Sequence, residues 1–207
     1  EQSAISGCYS ICYWMLNRFY NSARSALGLS ALVNGSGFTA TAGLLRELGG
    51  WNTVTMTEDY EFSAQCAMLG ERVHFVPEAL IYDEQPLTFR QSWKQRRRWT
   101  TGSLQGLQNY GHGLFSSFVL HGSLICLDMY LTFLVPMVQL ASVVLGIAGL
   151  VLTLLGSGIT FGGIMLHGMR AAALMLGIGA AGTVLGTSLA AALTVVLKKG
   201  SLRGVMK

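Results

Sequence analysis

Residues 131–155 read LTFLVPMVQLASVVLGIAGLVLTLL, 25 consecutive positions without a formal charge. At about 1.5 Å per residue a helix of that length crosses a hydrocarbon core of about 30 Å, so the run is expected to be a transmembrane helix over 129–155. Ala171 to Leu197 is a second such run, of 27 residues. Between them the glycine-rich stretch 156–170 carries one basic residue, Arg170, whereas Lys198, Lys199, Arg203 and Lys207 follow the second run. Positive residues favour the cytosolic side, which places the tail 198–207 in the cytosol and 156–170 outside. Pro136 and Gln139 within the first run suit a helix packed against other membrane helices, and Gly182-x-x-x-Gly186 within the second reads equally as a close-packing face or as the ordinary glycine enrichment of membrane helices.

Working outward, the composition agrees. Of 207 residues 51% are hydrophobic and 12% charged, against the roughly 25% charged typical of soluble domains, and the mean hydropathy is +0.47. Disorder and collagen-like or proline-rich structure are excluded, since 26 glycines against 3 prolines fall in no G-x-y period. All ten acids lie at or before Asp128, and Arg170 is the one formal charge from Met129 to Leu197, so two regions with different solvents are expected. Leu114 to Val135 could itself span, but His121 and Asp128 are expensive in lipid, and 114–128 reads instead as an interfacial amphipathic segment. Cys8, Cys12, Cys66 and Cys126 form no C-x-x-C or zinc-like spacing, so no metal centre or disulfide framework is expected. The chain opens on Glu1 with no signal-peptide pattern, which suggests a piece of something longer.

Residues 1–113 read as the aqueous part, mixed α and β. Apolar residues at helical spacing predict a helix over Ser10 to Leu27, and short helices are expected over Thr41 to Leu48, stopped by Gly49-Gly50, and Glu58 to Leu69, stopped by Gly70. Val73 to Val76 reads as a strand ended by Pro77, and Phe89 to Gln108 as a longer helix leading toward the membrane.

Three groups in this region could carry chemistry. Gly35-Ser36-Gly37-Phe38-Thr39-Ala40 fits G-x-G-x-x-A, but Ala31-Leu32-Val33 is barely a strand and Glu58 and Asp59 open a helix, so a dinucleotide site is disfavoured. In Thr57-Glu58-Asp59 the threonine can cap the helix and the acids can meet its positive end, which accounts for the residue types structurally. In Gln95-Arg96-Arg97-Arg98-Trp99, residues Gln95, Arg98 and Trp99 share one helix face, placing an amide, a guanidinium and an indole together. That face suits a phosphorylated sugar: arginine forks onto phosphate oxygens and an indole offers a flat surface to a sugar ring. A basic helix drawn to anionic lipid would explain the arginines alone.

Gly35-Ser36-Gly37, Thr57-Glu58-Asp59 and Gln95-x-x-Arg98-Trp99, in that order before hydrophobic spans, resemble the second half of a processive family 2 glycosyltransferase, the group of the cellulose, chitin, hyaluronan and poly-N-acetylglucosamine synthases. Leu45-Arg46-Glu47-Leu48-Gly49-Gly50-Trp51 and Val76-Pro77-Glu78-Ala79 are similar to that family too. The resemblance covers about residues 30–155 and implies an α/β fold: the C-terminal half of a GT-A-type nucleotide-sugar transferase domain, followed by transmembrane α-helices. It implies an inverting transfer from a nucleotide diphosphate sugar to a growing glycan, with Asp59 as general base and Glu58 as a positioning residue. It further implies that Gln95 and Arg98 hold the pyrophosphate, that Trp99 floors the acceptor site, and that Gly35 and Ser36 approach sugar through the turn.

The resemblance implies a divalent cation, Mg or Mn, for the full domain, but its D-x-D ligands are absent from this sequence, as is the F-x-V-T-x-K loop of bacterial cellulose synthase. The chain alone is therefore expected to be incomplete and inactive. Its expected partners are the donor, the glycan acceptor, the bilayer and other membrane helices, with no nucleic acid. The expected location is the plasma membrane, catalytic face to the cytosol. The competing reading is a non-catalytic membrane-anchored module whose basic helix binds lipid or a partner.

Overall fold

The computed structural model describes residues 2–155 and residues 188, 189 and 192. The loop 156–170 and the tail 198–207 lie outside the described residues, as does nearly all of the second apolar run, 171–197. Of the described residues, 2–134 form one compact unit and 135–155 belong to another.

The first unit begins with α1 (Ala4–Met15), earlier than the apolar spacing indicates, because Ser3 and Ser6 cap each other's backbone reciprocally. It runs through a π-helical stretch, Leu16–Asn21, into α2 (Ser22–Ala26). The buried segment Ala31-Leu32-Val33 follows, its amides satisfied largely by side chains. Leu32 N donates to Asn21 Oδ1 at 3.2 Å and Val33 N to Ser63 Oγ at 3.0 Å. Val73 to Val76 does not form the expected strand. Ala31 N donates to Val73 O at 2.8 Å and Ala79 N turns back onto Val76 O at 3.2 Å, while Val73 N and Phe75 N are taken by Ser30 and Ser25 hydroxyls. Among the described residues there is no regular strand, so this part is built from helices and extended loops.

Helix α3 (Ala42–Glu47) starts on a Thr41 cap. Helix α4 (Glu58–Leu69) ends at Gly70, whose φ of +79° favours glycine, and is buried continuously from Glu61 to Ala67. Helix α5 (Phe89–His121) starts on a Thr88–Gln91 capping box and runs well past Gln108, to Gly122. Its glycines admit neighbours: a methyl at Gly106 would stand 2.3 Å from Phe133 Cε1, so the fully buried Phe133 ring occupies that notch. Leu32, Ala64, Ala67, Leu114, Cys126, Met129 and Phe133 form the main core, with Val33, Phe62 and Cys66 a second cluster.

Helix α6 (Leu124–Leu155) contains Pro136. Its part Leu124–Ala148 is long and apolar enough to cross a membrane. The stretch 114–128 is shared between the end of α5 and the start of α6, parted at Gly122. Asp128 is matched there by Arg24, whose Nε and terminal nitrogen donate to the two carboxylate oxygens at 2.8 and 2.7 Å. The guanidinium also lies 3.2 Å over the Tyr20 ring.

Candidate active site

The start of α4 and the glycine turn meet at Asp59. Tyr60 N donates to Asp59 Oδ1 at 2.9 Å, and the Gly35 amide bonds to the same carboxylate. A methyl on Gly35 would sit 3.6 Å from Asp59 Oδ2, and its φ of +57° suits glycine, so turn backbone and carboxylate face each other with nothing between. Burial raises the Asp59 pKa above the ordinary 3.8, the neighbouring Glu58 adds to this, and the amides of Tyr60 and Gly35 partly offset it. Glu58 itself is exposed at the helix start. Ser36 leaves Asp59 alone and donates to Asp83 Oδ2 at 3.1 Å.

Thr57 does not cap α4 as expected. Its hydroxyl is buried without a hydrogen-bond partner because the side chain is turned against α5, where a methyl at Gly102 would lie 2.3 Å from Thr57 Oγ1. Met56 N donates to Gln105 Oε1 at 2.9 Å, fastening the same loop to α5. Since Gly102 lies one turn beyond Arg98, this contact joins the acid-bearing helix start to the helix carrying Gln95, Arg98 and Trp99. The two groups are linked through Thr57 and Gly102 rather than by a direct hydrogen bond from Asp59.

On α5, Gln95 keeps its Oε1 buried and unpartnered, Arg98 is exposed, and Trp99 is half-buried. Trp99 meets Tyr9 of α1 edge to face, with ring centroids 6.0 Å apart at 62°. A buried carbonyl oxygen with no partner is costly, and a ligand donor or a water would relieve it.

Three further residues border these groups. Tyr13 of α1 has its phenol pushed up chiefly by burial, with Cys12, Asp59, Asp83 and Tyr9 adding to it. Asp83 holds Ser36. Glu61, wholly buried, is the anchor of the loop before α4. Its Oε2 accepts from Val54 N at 2.8 Å and Thr55 N at 2.6 Å, and its Oε1 from Tyr110 Oη at 2.7 Å. Burial would raise its pKa, but the bonds from Thr55, Tyr110 and Val54 prevail and hold it below the ordinary 4.5. In the sequence Glu61 follows Glu58-Asp59-Tyr60 and precedes Phe62-Ser63-Ala64-Gln65-Cys66-Ala67, and little but this uncharged run after it sets it apart from the two acids before it. Tyr9 and Tyr13 carry no comparable signal. Among the described residues no three His, Cys, Asp or Glu side chains gather around a point where a cation could sit.

The family model described as "Glycosyl transferase family group 2" matches residues 5–184. The chain is 32% identical over 73 residues to "Probable glycosyltransferase YdaM" of Bacillus subtilis (strain 168), a match covering 35% of this chain and 17% of that protein. It is 32% identical over 71 residues to "Glucomannan 4-beta-mannosyltransferase 7" of Arabidopsis thaliana, covering 32% and 13%. A match of 33% over 72 residues, also covering 32% and 13%, is found with "Probable glucomannan 4-beta-mannosyltransferase 4" of Oryza sativa subsp. japonica. The matched part is thus at most 17% of each relative's length. No solved structure matches the chain.

Proposed function

We propose, from the premise that this chain belongs to glycosyl transferase family group 2, that it carries the acceptor side of an inverting hexosyltransferase that is held in a membrane and extends a glycan from a nucleotide diphosphate sugar. The observation that carries this reading is the placement of Asp59: a carboxylate with a raised pKa, facing a glycine turn, at a helix start packed on the Gln95–Arg98–Trp99 helix.

In the proposed reaction Asp59 accepts the proton of the acceptor hydroxyl as that oxygen bonds to the anomeric carbon. The carbon–oxygen bond to the nucleotide diphosphate breaks, and the diphosphate departs with the electron pair. A raised pKa makes this carboxylate hold a proton more firmly than an ordinary aspartate, which suits a general base. Arg98 is exposed and free to fork onto the pyrophosphate, Gln95 adds an amide, and Trp99 supplies the surface on which the acceptor sugar stacks. Glu58 is a positioning residue, and Gly35 and Ser36 bring backbone close to the sugar.

Domains of this family commonly use a divalent cation that neutralises charge on the leaving diphosphate. The described residues do not fit such a site: Asp59 is engaged by amides, Asp83 by Ser36, and no third ligand joins them, so no step here is routed through one. Helix α6 is the membrane anchor in this reading, with 1–113 on the cytosolic face of the plasma membrane, 114–128 at the interface and the run 171–197 returning across it.

The test is turnover of UDP- and GDP-linked hexoses by the full-length protein that carries this chain, in membranes, with β-1,4-linked mannose and glucose oligosaccharides as acceptors. The plant relatives' names make these the first acceptors to try. Turnover that Asp59→Asn abolishes supports the reading. Absence of turnover with every donor, together with binding to anionic vesicles that depends on the α5 arginines, would favour a non-catalytic module instead.

A further inference from the structure

We infer that Tyr9 of α1 is a positioning residue for the Gln95–Arg98–Trp99 face, fixing the pose in which Trp99 meets an acceptor sugar; this rests on the proposed role of Trp99. Tyr9 lies 83 residues before Ser92, is 4% exposed, and its hydroxyl stands 3.0 Å from Ser92 Oγ. Seven residues beyond Ser92, two helical turns along the same face, Trp99 makes the edge-to-face contact with the Tyr9 ring. Between them Arg96 places its guanidinium carbon 5.6 Å from the centre of that ring, within cation–π range.

A single tyrosine thus touches three residues of α5 at successive turns. A position that served only to fill the core would take an aliphatic or phenylalanine side chain, since a buried phenol loses hydration that only a partner restores. The Ser92 contact restores it and fixes where the ring stands along α5. An aromatic pair has a preferred interplanar geometry, so a ring fixed in place restricts the tilt of the indole beside it. Stacking on a sugar requires a defined indole plane. The consequence falls on acceptor recognition, because the contacts of Tyr9 run to Ser92, Arg96 and Trp99, whereas the donor's pyrophosphate is assigned to Gln95 and Arg98.

The experiment uses the full-length protein in membranes, with β-1,4-linked mannotetraose or cellotetraose as acceptor and the UDP- or GDP-hexose that supports turnover. Tyr9→Leu is expected to raise acceptor KM about 2- to 12-fold, the range an aromatic pair is worth, while donor KM moves by less than about twofold. Tyr9→Phe, which keeps the ring, should restore most of that loss, and in a Trp99→Ala background Tyr9→Leu should add nothing further. Equal rises in both KM values, or a loss of kcat alone, would overturn the inference.

A second measurement needs no turnover. In protein labelled with 5-fluorotryptophan, the Trp99 resonance, assigned by its absence in Trp99→Phe, should shift in Tyr9→Leu and stay close to wild type in Tyr9→Phe. An unmoved resonance in Tyr9→Leu overturns the inference whatever the enzyme's activity. Should Tyr9→Leu fail to accumulate, Tyr9→Met, which also removes the ring, takes its place, with a shift of the same resonance expected and no shift overturning the inference. Asp59→Asn retaining turnover would instead count against the reading of Asp59 and leave the resonance result standing.

Discussion

Thr57 and Gly102 are in such close apposition that a methyl group at position 102 would lie 2.3 Å from Thr57 Oγ1 and 2.8 Å from its Cβ. The contact decides how near the start of α4 comes to the helix carrying Arg98 and Trp99. Gly102→Ala should therefore do two things. Overpacking of this kind typically costs about 1–3 kcal/mol, which a lowered melting temperature in detergent would register. Turnover should fall further than the folded fraction does, because the displaced loop leads directly into Glu58 and Asp59. A variant with unchanged turnover would show that the spacing of the two helices is unimportant to the reaction.

Asp59→Asn keeps an oxygen to accept from the Tyr60 amide but cannot take a proton, so transfer should fall by about 10²- to 10⁴-fold while donor binding persists. Arg98→Ala should instead weaken donor binding by about 1.5–3 kcal/mol, the worth of a charge-assisted bond. Calorimetry with the nucleotide and turnover on the same preparations separate the two. The acid limb of the wild-type rate profile should lie above the ordinary aspartate value of 3.8. The sign for stability follows from the same shift. A raised folded-state pKa means that ionising Asp59 costs stability as pH rises from 3.8 through the folded value, so Asn at this position should not destabilise the fold at neutral pH.

Glu61 has the opposite sign. Its pKa is held below 4.5 in the fold, so its contribution is fully present above 4.5 and is lost as pH falls through the lower folded value. Glu61→Gln should remove about 1.5–3 kcal/mol at neutral pH, since one amide oxygen replaces a carboxylate bonded by Val54, Thr55 and Tyr110. The difference in melting temperature between wild type and variant should narrow on acidification below 4.5. A constant difference would mean that the charge is immaterial.

The membrane arrangement is open to cysteine labelling. With the exposed Cys8 and Cys12 replaced by serine, the remaining Cys66 and Cys126 are buried, and the Cys66 thiol, pushed up to about 11, reacts poorly. Single cysteines introduced near positions 160 and 203 should then label from opposite sides of sealed vesicles, with 203 on the cytosolic side. Labelling from one side would mean that the run 171–197 does not cross.

Helices α3 and α4 were legible because their stops are chemical: Gly49-Gly50 and Gly70 adopt positive φ, which few other residues tolerate. Helix α5 outruns its expected end at Gln108 and continues through Gly111 and Gly113, where neighbouring side chains close in. A methyl at Gly113 would stand 2.9 Å from Met68 Cε. The strand expected over Val73 to Val76 had the right residues but meets the backbone only of Ala31 and of the adjoining turn at Ala79, so no ladder forms. Asp59 and Gly35 could be singled out from their motifs, whereas the turning of Thr57 toward Gly102 could not, since a cap and a packed threonine look alike in one dimension. Tyr9 was illegible for a different reason: its partners lie 83 and more residues away, and helical spacing reports only neighbours along the chain.

The same long reach governs how the chain must assemble. Leu32 and Ala64 belong to a core that Cys126, Met129 and Phe133 complete, and Arg24 finds Asp128 only 104 residues later. During synthesis at about 5–20 residues per second, the earlier helices wait several seconds with that apolar surface uncovered. The residues that close it stand at the head of the apolar helix that would be delivered to the bilayer. Under the proposed topology, maturation of residues 2–134 is tied to insertion, and a ribosome that stalls before residue 133 would leave a core without the residues that complete it.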